Sequence, residues 1–277
     1  MKKVWLITGC STGFGRAIAH ATLEAGYLVA VASRKTEDVR DLVDAHPHTA
    51  FPVQLDVTDY DQVRSAVTIV LEKFGRIDVL VNNAGIGYFA AVEESEEADI
   101  RRMFEVNFWG LSEMTRQVLP VMRAQRSGHI INISSIGGLK SFPSLGYYHA
   151  TKYAVDGLSE ALFKEVNPLG IKVTIVAPGN FRTDWAGRSA KDSPLVIADY
   201  AATSEVTKQW VRGISGKQEG DPALAALAII EVVEAARPPL RLLLGRDALD
   251  GARGKLAELA ADYSAWEDTT LSCDFKA

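Results

Sequence analysis

Tyr148 and Lys152 lie four residues apart in the run GYYHATKYAVDGLSEALF. The run predicts one helix, which puts the two side chains on one face, a turn apart. An ammonium fixed beside a phenol favours the phenolate and lowers the tyrosine pKa. A tyrosine tuned in this way gives or takes a proton near neutral pH. Tyr147 is the rival phenol, but five residues from Lys152 it falls off that face. By itself the pair also reads as a half-buried aromatic beside a solvated charge, and distant parts of the chain decide between the two.

The start of the chain supplies the first of these. A short apolar run, Val4 to Ile7, leads into Thr8-Gly9-Cys10-Ser11-Thr12-Gly13-Phe14-Gly15, and a helical pattern follows. Glycines permit a tight turn and a close backbone approach to a pyrophosphate, and a helix N-terminus offers free N–H groups. Ser11 and Thr12 add hydroxyl donors. The spacing is Gly-x-x-x-Gly-x-Gly, and no Gly-Lys-Ser/Thr follows, which excludes a P-loop. The second apolar run ends in Ser33-Arg34-Lys35. An acidic residue there would suit the ribose 2′-hydroxyl of NAD, whereas Arg34 suits a 2′-phosphate, so NADP(H) is expected over NAD. Glu37 and Asp38 follow where a helix starts and favour its dipole.

These groups need a scaffold, and the chain shows one. Runs at 4–8, 28–32, 51–55, 77–81, 129–133, 172–177 and 240–244 are apolar almost without interruption. Continuous rather than alternating runs mark parallel strands buried on both faces. Helical stretches separate them, among them Arg16 to Ala25, Tyr60 to Phe74 and Asp99 to Arg126. The alternation predicts an α/β, doubly wound sheet of about seven parallel strands with helices on both faces. No linker or repeat breaks it, so residues 1–277 are read as a single domain. From Phe181 to Gly220 the pattern weakens into a glycine-punctuated stretch, read as a substrate-binding insertion or lid. Residues 246–277 form an extension that begins helical and ends polar. Its last ten residues are open to disorder or to docking on a neighbouring subunit.

Bulk properties narrow the partners. A chain of 277 residues with net charge −5 and no basic run offers no nucleic-acid or anionic-membrane surface. No segment reaches the roughly 18 apolar residues of a membrane span. The apolar start is also too short for a secretory signal. Cys10 and Cys273 make no disulfide framework, which reads as a reducing, cytoplasmic setting. The five histidines show no metal-binding spacing. His149 follows Tyr148 but points about 100° away from it on a helix. Ser134-Ser135 lacks the Gly-x-Ser-x-Gly elbow of a hydrolase.

Four patches taken together resemble the short-chain dehydrogenase/reductase family. They are the TGCSTGFG turn at 8–15, NNAG at 82–85, the ISS run ending at Ser135, and Tyr148-x-x-x-Lys152. Asn107 and PGNFRT at 178–183 fit as well. The resemblance covers about residues 1 to 185 and implies a Rossmann fold and an NADP-preferring carbonyl reductase or hydroxysteroid-dehydrogenase-like activity. It implies a catalytic set of Asn107, Ser135, Tyr148 and Lys152. Tyr148 would be the general acid–base, Lys152 would also hold the nicotinamide ribose, and Ser135 would bond the substrate oxygen. Asn107 would reach Lys152 through a water. The cofactor would lie on Thr8, Gly9, Ser11, Thr12, Gly13, Phe14 and Gly15, then on Arg34, Asp56 and Val57. Asn83, Ala84 and Gly85 would take its ribose, Pro178, Gly179 and Thr183 would brace the nicotinamide, and Phe181 would also belong to the cofactor site. Asp56 would meet the adenine amino group, leaving Asp59 as the helix cap. Many NADP-dependent members carry a basic residue where Thr12 stands, which leaves Arg34, with Lys35, for the phosphate. The three-residue gap between Tyr148 and Lys152 is that of keto-reducing rather than enoyl-reducing members.

The implied substrate is a small ketone or secondary alcohol, and Tyr88, Phe89, Phe142 and Trp185 are expected to make its pocket hydrophobic. A homo-oligomer, dimer or tetramer, is expected on the helices at 99–126 and 148–167. The alternative is a dinucleotide-binding sensor or scaffold without turnover.

Overall fold

The apolar runs become strands in the computed structural model, which describes residues 2–275. In chain order the strands are β1 (Val4–Ile7), β2 (Leu28–Ser33), β3 (Ala50–Gln54), β4 (Val79–Asn82), β5 (Gly87–Phe89), β6 (Gly128–Ile133), β7 (Ile171–Pro178), β8 (Ala190–Asp192) and β9 (Arg241–Leu244). The helices are α1 (Gly13–Glu24), α2 (Arg40–Ala45), α3 (Tyr60–Phe74), α4 (Glu97–Phe104), α5 (Leu111–Gln125), α6 (Gly146–Val166), α7 (Val206–Gly213), α8 (Pro222–Glu234), α9 (Arg246–Ala265) and α10 (Glu267–Leu271). Seven strands make one parallel sheet in the order β3-β2-β1-β4-β6-β7-β9. This is the expected doubly wound, Rossmann-type α/β architecture. The order reverses between β1 and β4, and ligands bind at the carboxyl ends of strands at such a reversal.

Alternate residues of each strand enter opposite cores. Trp5, Ile7, Val31 and Ile131 pack under α1 and α8, while Leu6, Leu80, Ile130 and Val173 pack under α3, α5 and α6. Full burial of each such side chain stabilises the fold by about 1.5–3 kcal/mol. Helix ends follow local chemistry. Asp59 accepts the Asp61 and Gln62 amides to start α3, and Gly75 ends it at φ 75°. Pro222 opens α8 behind the Asp221 cap. The predicted cap at Asp59 is therefore present.

Two stretches differ from expectation. Asp99 to Arg126 is not one regular helix, because Glu105–Gly110 is a wider π-type turn between α4 and α5. Phe181 to Gly220 is not irregular either. It is an excursion closed at its neck, where the Arg182 amide donates to Gly220 O (2.9 Å) and the Gly220 amide to Asn180 O (3.1 Å). Inside it, β8 pairs with β5 in a second, two-stranded parallel sheet. Arg212 of α7 reaches back to the carbonyls of Ala186 (2.8 Å), Gly187 and Ala190 (2.8 Å) and pairs with Asp192. One guanidinium thus fixes the whole β8 side of the excursion.

The C-terminal extension is α9 and α10. Of the ten residues left open by the sequence, 268–275 are described and exposed, with α10 running to Leu271; residues 276 and 277 lie outside the described residues. No helix among the described residues is long and apolar enough to cross a membrane.

Candidate active site

The turn after β1 requires its glycines. Gly9 and Gly13 have φ of 71° and 58°, where a side chain is strained. A Cβ on Gly15 would stand 2.3 Å from both Asn83 Nδ2 and Gly9 O. Asn83 is there because its Nδ2 donates to Thr8 O (2.9 Å) and Gly9 O (3.2 Å), while Thr8 Oγ1 accepts the amides of Asn83 (2.9 Å) and Ala84 (3.0 Å). The glycine turn and the NNAG loop are knitted into one unit across the β1–β4 reversal. Thr12 at the start of α1 makes no capping bond, so its hydroxyl and the first-turn amides face the solvent side.

Above this unit lies a cavity of about 1310 Å³. That exceeds the about 300–1,000 Å³ of an ordinary ligand pocket, so there is room for a dinucleotide and a second ligand. Of the residues expected at the site, Gly9, Ser11, Thr12, Gly13, Phe14, Arg34, Asp56, Val57, Asn83, Ala84, Gly85, Ser135, Tyr148, Lys152, Pro178, Gly179, Phe181 and Thr183 line it. Thr8, Gly15 and Asn107 do not; they act from behind the wall. Arg34 is exposed and forms no ion pair among the described residues. Asp38, read only as a helix-start acid, lines the same end of the cavity. Bare left-handed backbone, an uncapped helix start and an unpaired arginine fit a phosphate-bearing dinucleotide.

The reacting groups come from α6 and the end of β6. Tyr148 is 7% exposed, with its ring centroid 4.9 Å from that of Trp185. Burial pushes its phenol up to about 12, and the neighbouring Ser135 hydroxyl only partly opposes this. The net lowering expected from Lys152 is not found, because spacing reveals the charge but not the desolvation. Lys152 Nζ stands 5.7 Å from the phenol ring centroid and donates to Ile133 O at 2.8 Å. Burial brings its ammonium down to about 8, with Asp156 acting in the opposite sense. Ser135 Oγ accepts the Gly137 amide at 3.0 Å. Ser134 also lines the cavity, but its hydroxyl is committed to Asp156, to which it donates.

Asn107 sits in the π-type turn, buried. Its Oδ1 accepts the Ile86 amide (2.8 Å), and its Nδ2 donates to Ile86 O (2.9 Å) and Thr151 Oγ1 (3.2 Å). It therefore ties the NNAG loop to the residue preceding Lys152. An extra residue in a helical turn commonly marks a functional position.

Of the four aromatics expected at the pocket, only Trp185 lines the cavity. Tyr88 and Phe89 are core residues; the Tyr88 hydroxyl accepts the Glu96 amide (3.1 Å), and Phe89 lies under the Arg212 guanidinium. Phe142 is 38% exposed and packs on the His149 ring outside the cavity. Periodicity could not separate these four, since loop aromatics look alike in sequence.

Two residues passed over by the sequence reading support the site. His149 Nε2 accepts the Phe142 amide (2.9 Å), which leaves the proton on Nδ1 to donate to Gly137 O (3.0 Å). It spans the loop that carries Ser135. Asp247 of α9 accepts the Asn180 amide (2.7 Å) and crowds Gly179, where a Cβ would lie 2.0 Å from its carboxylate. No motif marks either one; both are found only through their backbone partners. Among the described residues no His, Cys, Asp and Glu side chains gather as a metal site.

Comparison with known proteins gives the family. The profile of the short chain dehydrogenases matches residues 3–194. The chain belongs to that family of oxidoreductases. Oxidoreductase BOA17 of Botryotinia fuckeliana is 43% identical over 274 residues, 98% of this chain and 99% of its own. A 3-ketodihydrosphingosine reductase of Bacteroides thetaiotaomicron is 38% identical over 251 residues, 88% of each. The crystal structure of a short-chain dehydrogenase from Streptomyces avermitilis superposes with TM-score 0.93 at 44% identity over 99% of both chains. The likeness thus continues past residue 185 into the C-terminal third. A Burkholderia phymatum short chain dehydrogenase/reductase in complex with NAD (26% identity, TM-score 0.83, 94% of this chain and 95% of that one) is also similar. So is ElxO with NADP bound (30%, TM-score 0.75, 90% and 100%).

Proposed function

We propose that the protein is an NADP(H)-dependent ketone reductase, reversible as an alcohol dehydrogenase. One observation carries this reading: Ser135, Tyr148 and Lys152 share a cavity with the glycine turn and Arg34. A bound nicotinamide supplies the hydride in this chemistry. Tyr148 holds the proton. Its O–H bond breaks as the carbonyl oxygen gains charge, the proton goes to that oxygen, and solvent reprotonates the phenolate. In reverse the phenolate takes the alcohol proton. Ser135 already accepts the Gly137 amide, so its own proton is free to donate to the same developing oxyanion. Lys152, still largely an ammonium at neutral pH, stabilises the phenolate left behind and is placed to hold ribose hydroxyls. Asn107 keeps the NNAG loop and the Lys152 turn of α6 together.

Arg34 supports NADP(H), by charge-assisted bonds to a 2′-phosphate. Asp38 is the rival group on the same wall and would suit a 2′-hydroxyl. Relatives with NAD and with NADP are both known, so the choice rests on these two side chains. Trp185 and Ile86 line the reacting end and favour a hydrophobic ketone. Similarity to a 3-ketodihydrosphingosine reductase points in the same direction. The closed excursion at 181–220 is the substrate-binding part of a single 1–277 catalytic domain. Trp109 and Tyr153, 48% and 42% exposed beside α5 and on α6, support a homo-oligomer through those helices. The two free cysteines, Cys10 and Cys273, support a cytoplasmic setting.

NADPH consumption against aryl, steroidal and long-chain ketones tests the proposal. At least one ketone should turn over, and Tyr148→Phe should cost about 10²–10⁴-fold in kcat while NADPH still binds. Binding without turnover across the panel would point to a sensor or scaffold. A fully active Tyr148→Phe would sink the mechanism.

A further inference from the structure

One buried carboxylate lies in the catalytic layer and has no part in the mechanism above. Asp156 is one turn beyond Lys152 on α6 and 3% exposed. Its Oδ1 accepts the Ser134 hydroxyl, and its Oδ2 faces Arg241 of β9 at 3.5 Å. Arg241 bonds more closely to Glu160, one turn further along α6. The arginine is therefore shared between two carboxylates, and Asp156 keeps a second cation one turn back on the helix. That cation is Lys152, whose hydrogen-bond partner is a neutral carbonyl, Ile133 O. The charged groups around Asp156 are Lys152 and Glu160 on α6 and Arg241 on β9, and the neutral Ser134 hydroxyl after β6 completes its surroundings.

The turn above is shaped around the same carboxylate. A Cβ on Gly138 would lie 2.9 Å from Asp156 Oδ1 and 2.8 Å from Ser134 Oγ. Glycine is required there because the Ser134–Asp156 pair sits directly beneath. The same turn supplies the Gly137 amide that Ser135 accepts. Asp156 thus touches the support of Ser135 on one side and the charge balance of Lys152 on the other.

We propose that Asp156 is a positioning residue: it is the counter-charge that keeps Lys152 an ammonium inside the site, and through Ser134 it fixes the turn that presents Ser135. This rests on the reading of the site as a ketone reductase. Burial drives Lys152 down to about 8, and Asp156 is the charge that opposes it. Burial also raises Asp156 itself to about 6, with Ser134, Arg241 and Lys152 pulling it down, so it is ionised over the working range of the lysine.

Asp156→Asn removes the charge while keeping an acceptor for Ser134, and Arg241 retains Glu160. Ser134→Ala removes the bond and keeps the charge. Both are compared with the unaltered protein from pH 6 to 9.5, by NADPH dissociation constant and by kcat/KM on the best ketone. The unaltered protein should lose both affinity and kcat/KM above about pH 8. Asp156→Asn should move that limb down by about one unit or more. Ser134→Ala should lower kcat with the limb unmoved. Asp156→Ser, equally uncharged, serves where the asparagine variant is insoluble. A limb that stays in place without the carboxylate overturns the proposal, whatever the loss of activity. If no ketone is reduced, the reductase reading fails, and the affinity limb still decides the role of Asp156.

Discussion

Burial holds the Tyr148 proton until about pH 12, so the two directions of reaction draw on different forms of one group. Reduction needs the phenol, which is present throughout the neutral range. Oxidation needs the phenolate, whose fraction grows about tenfold per pH unit below its pKa. Reduction should therefore be flat from pH 6 to near 8 and fall as Lys152 loses its charge. Oxidation should climb over the same interval. Rates in both directions across pH 6–10 check this, and a flat oxidation profile would count against Tyr148 as the base. Arg34 makes a second residue-scale case. Among the described residues it stands without an ion pair just after β2, on the cavity wall that also holds Asp38. Arg34→Ala should weaken NADPH binding by roughly tenfold or more, the worth of a charge-assisted bond, and leave NADH nearly unchanged. Equal loss for both nucleotides would remove Arg34 from the phosphate. At this scale the identities of the chemical groups were legible in the sequence. The direction of the Tyr148 shift was not, because it depends on how much water the fold removes.

Elements were legible wherever one physical signal dominated. The seven sheet strands are continuous apolar runs because both faces are buried, and all seven runs pair in the sheet. The π-type turn at Glu105–Gly110 left no such signal. It exists because Asn107 must turn inward to Ile86, and because Gly110 meets Val57, where a Cβ would stand 2.7 Å from Cγ2. The β5–β8 pair was also hidden, since three-residue strands carry too little pattern to register. The glycine turn shows how tightly elements are joined. Gly15→Ala would push a methyl group into Asn83 Nδ2 and Gly9 O at 2.3 Å, and neither can retreat without breaking the Thr8–Asn83 bonds. The variant should lose about 1–3 kcal/mol of stability as overpacking does. It should also lose nucleotide affinity, although Gly15 itself does not line the cavity. Denaturant melts and NADPH titration measure the two effects. Unchanged affinity would mean that the turn adjusts and that this glycine is not required.

Across the whole molecule the histidines set the response to acid, although they offered no motif. His129 of β6 lies in the sheet, where its Nε2 meets Thr174 Oγ1 at 3.0 Å, and burial brings it down to about 3. His149 is likewise brought down to about 4 by burial, outweighing its bonds to the Gly137 and Phe142 backbone. Both are neutral in the fold and protonate near 6.5 once unfolded. Between pH 6 and 4 the unfolded chain therefore binds about two more protons than the native one through these groups. Asp156 works in the opposite sense: raised to about 6 in the fold, it takes up a proton in that window before the unfolded carboxylate does. Through these three groups the net excess is about one proton on the unfolded side, which lowers stability by about 1.4 kcal/mol per pH unit as pH drops from 6 to 4. His129→Gln removes one of the three contributions, and the remaining two then nearly cancel. Urea unfolding at pH 4.5, 5.5, 6.5 and 7.5 should give a sloping line for the natural sequence and an almost level one for His129→Gln between 4.5 and 5.5. A slope that survives the substitution would assign the acid sensitivity to surface carboxylates rather than to the sheet.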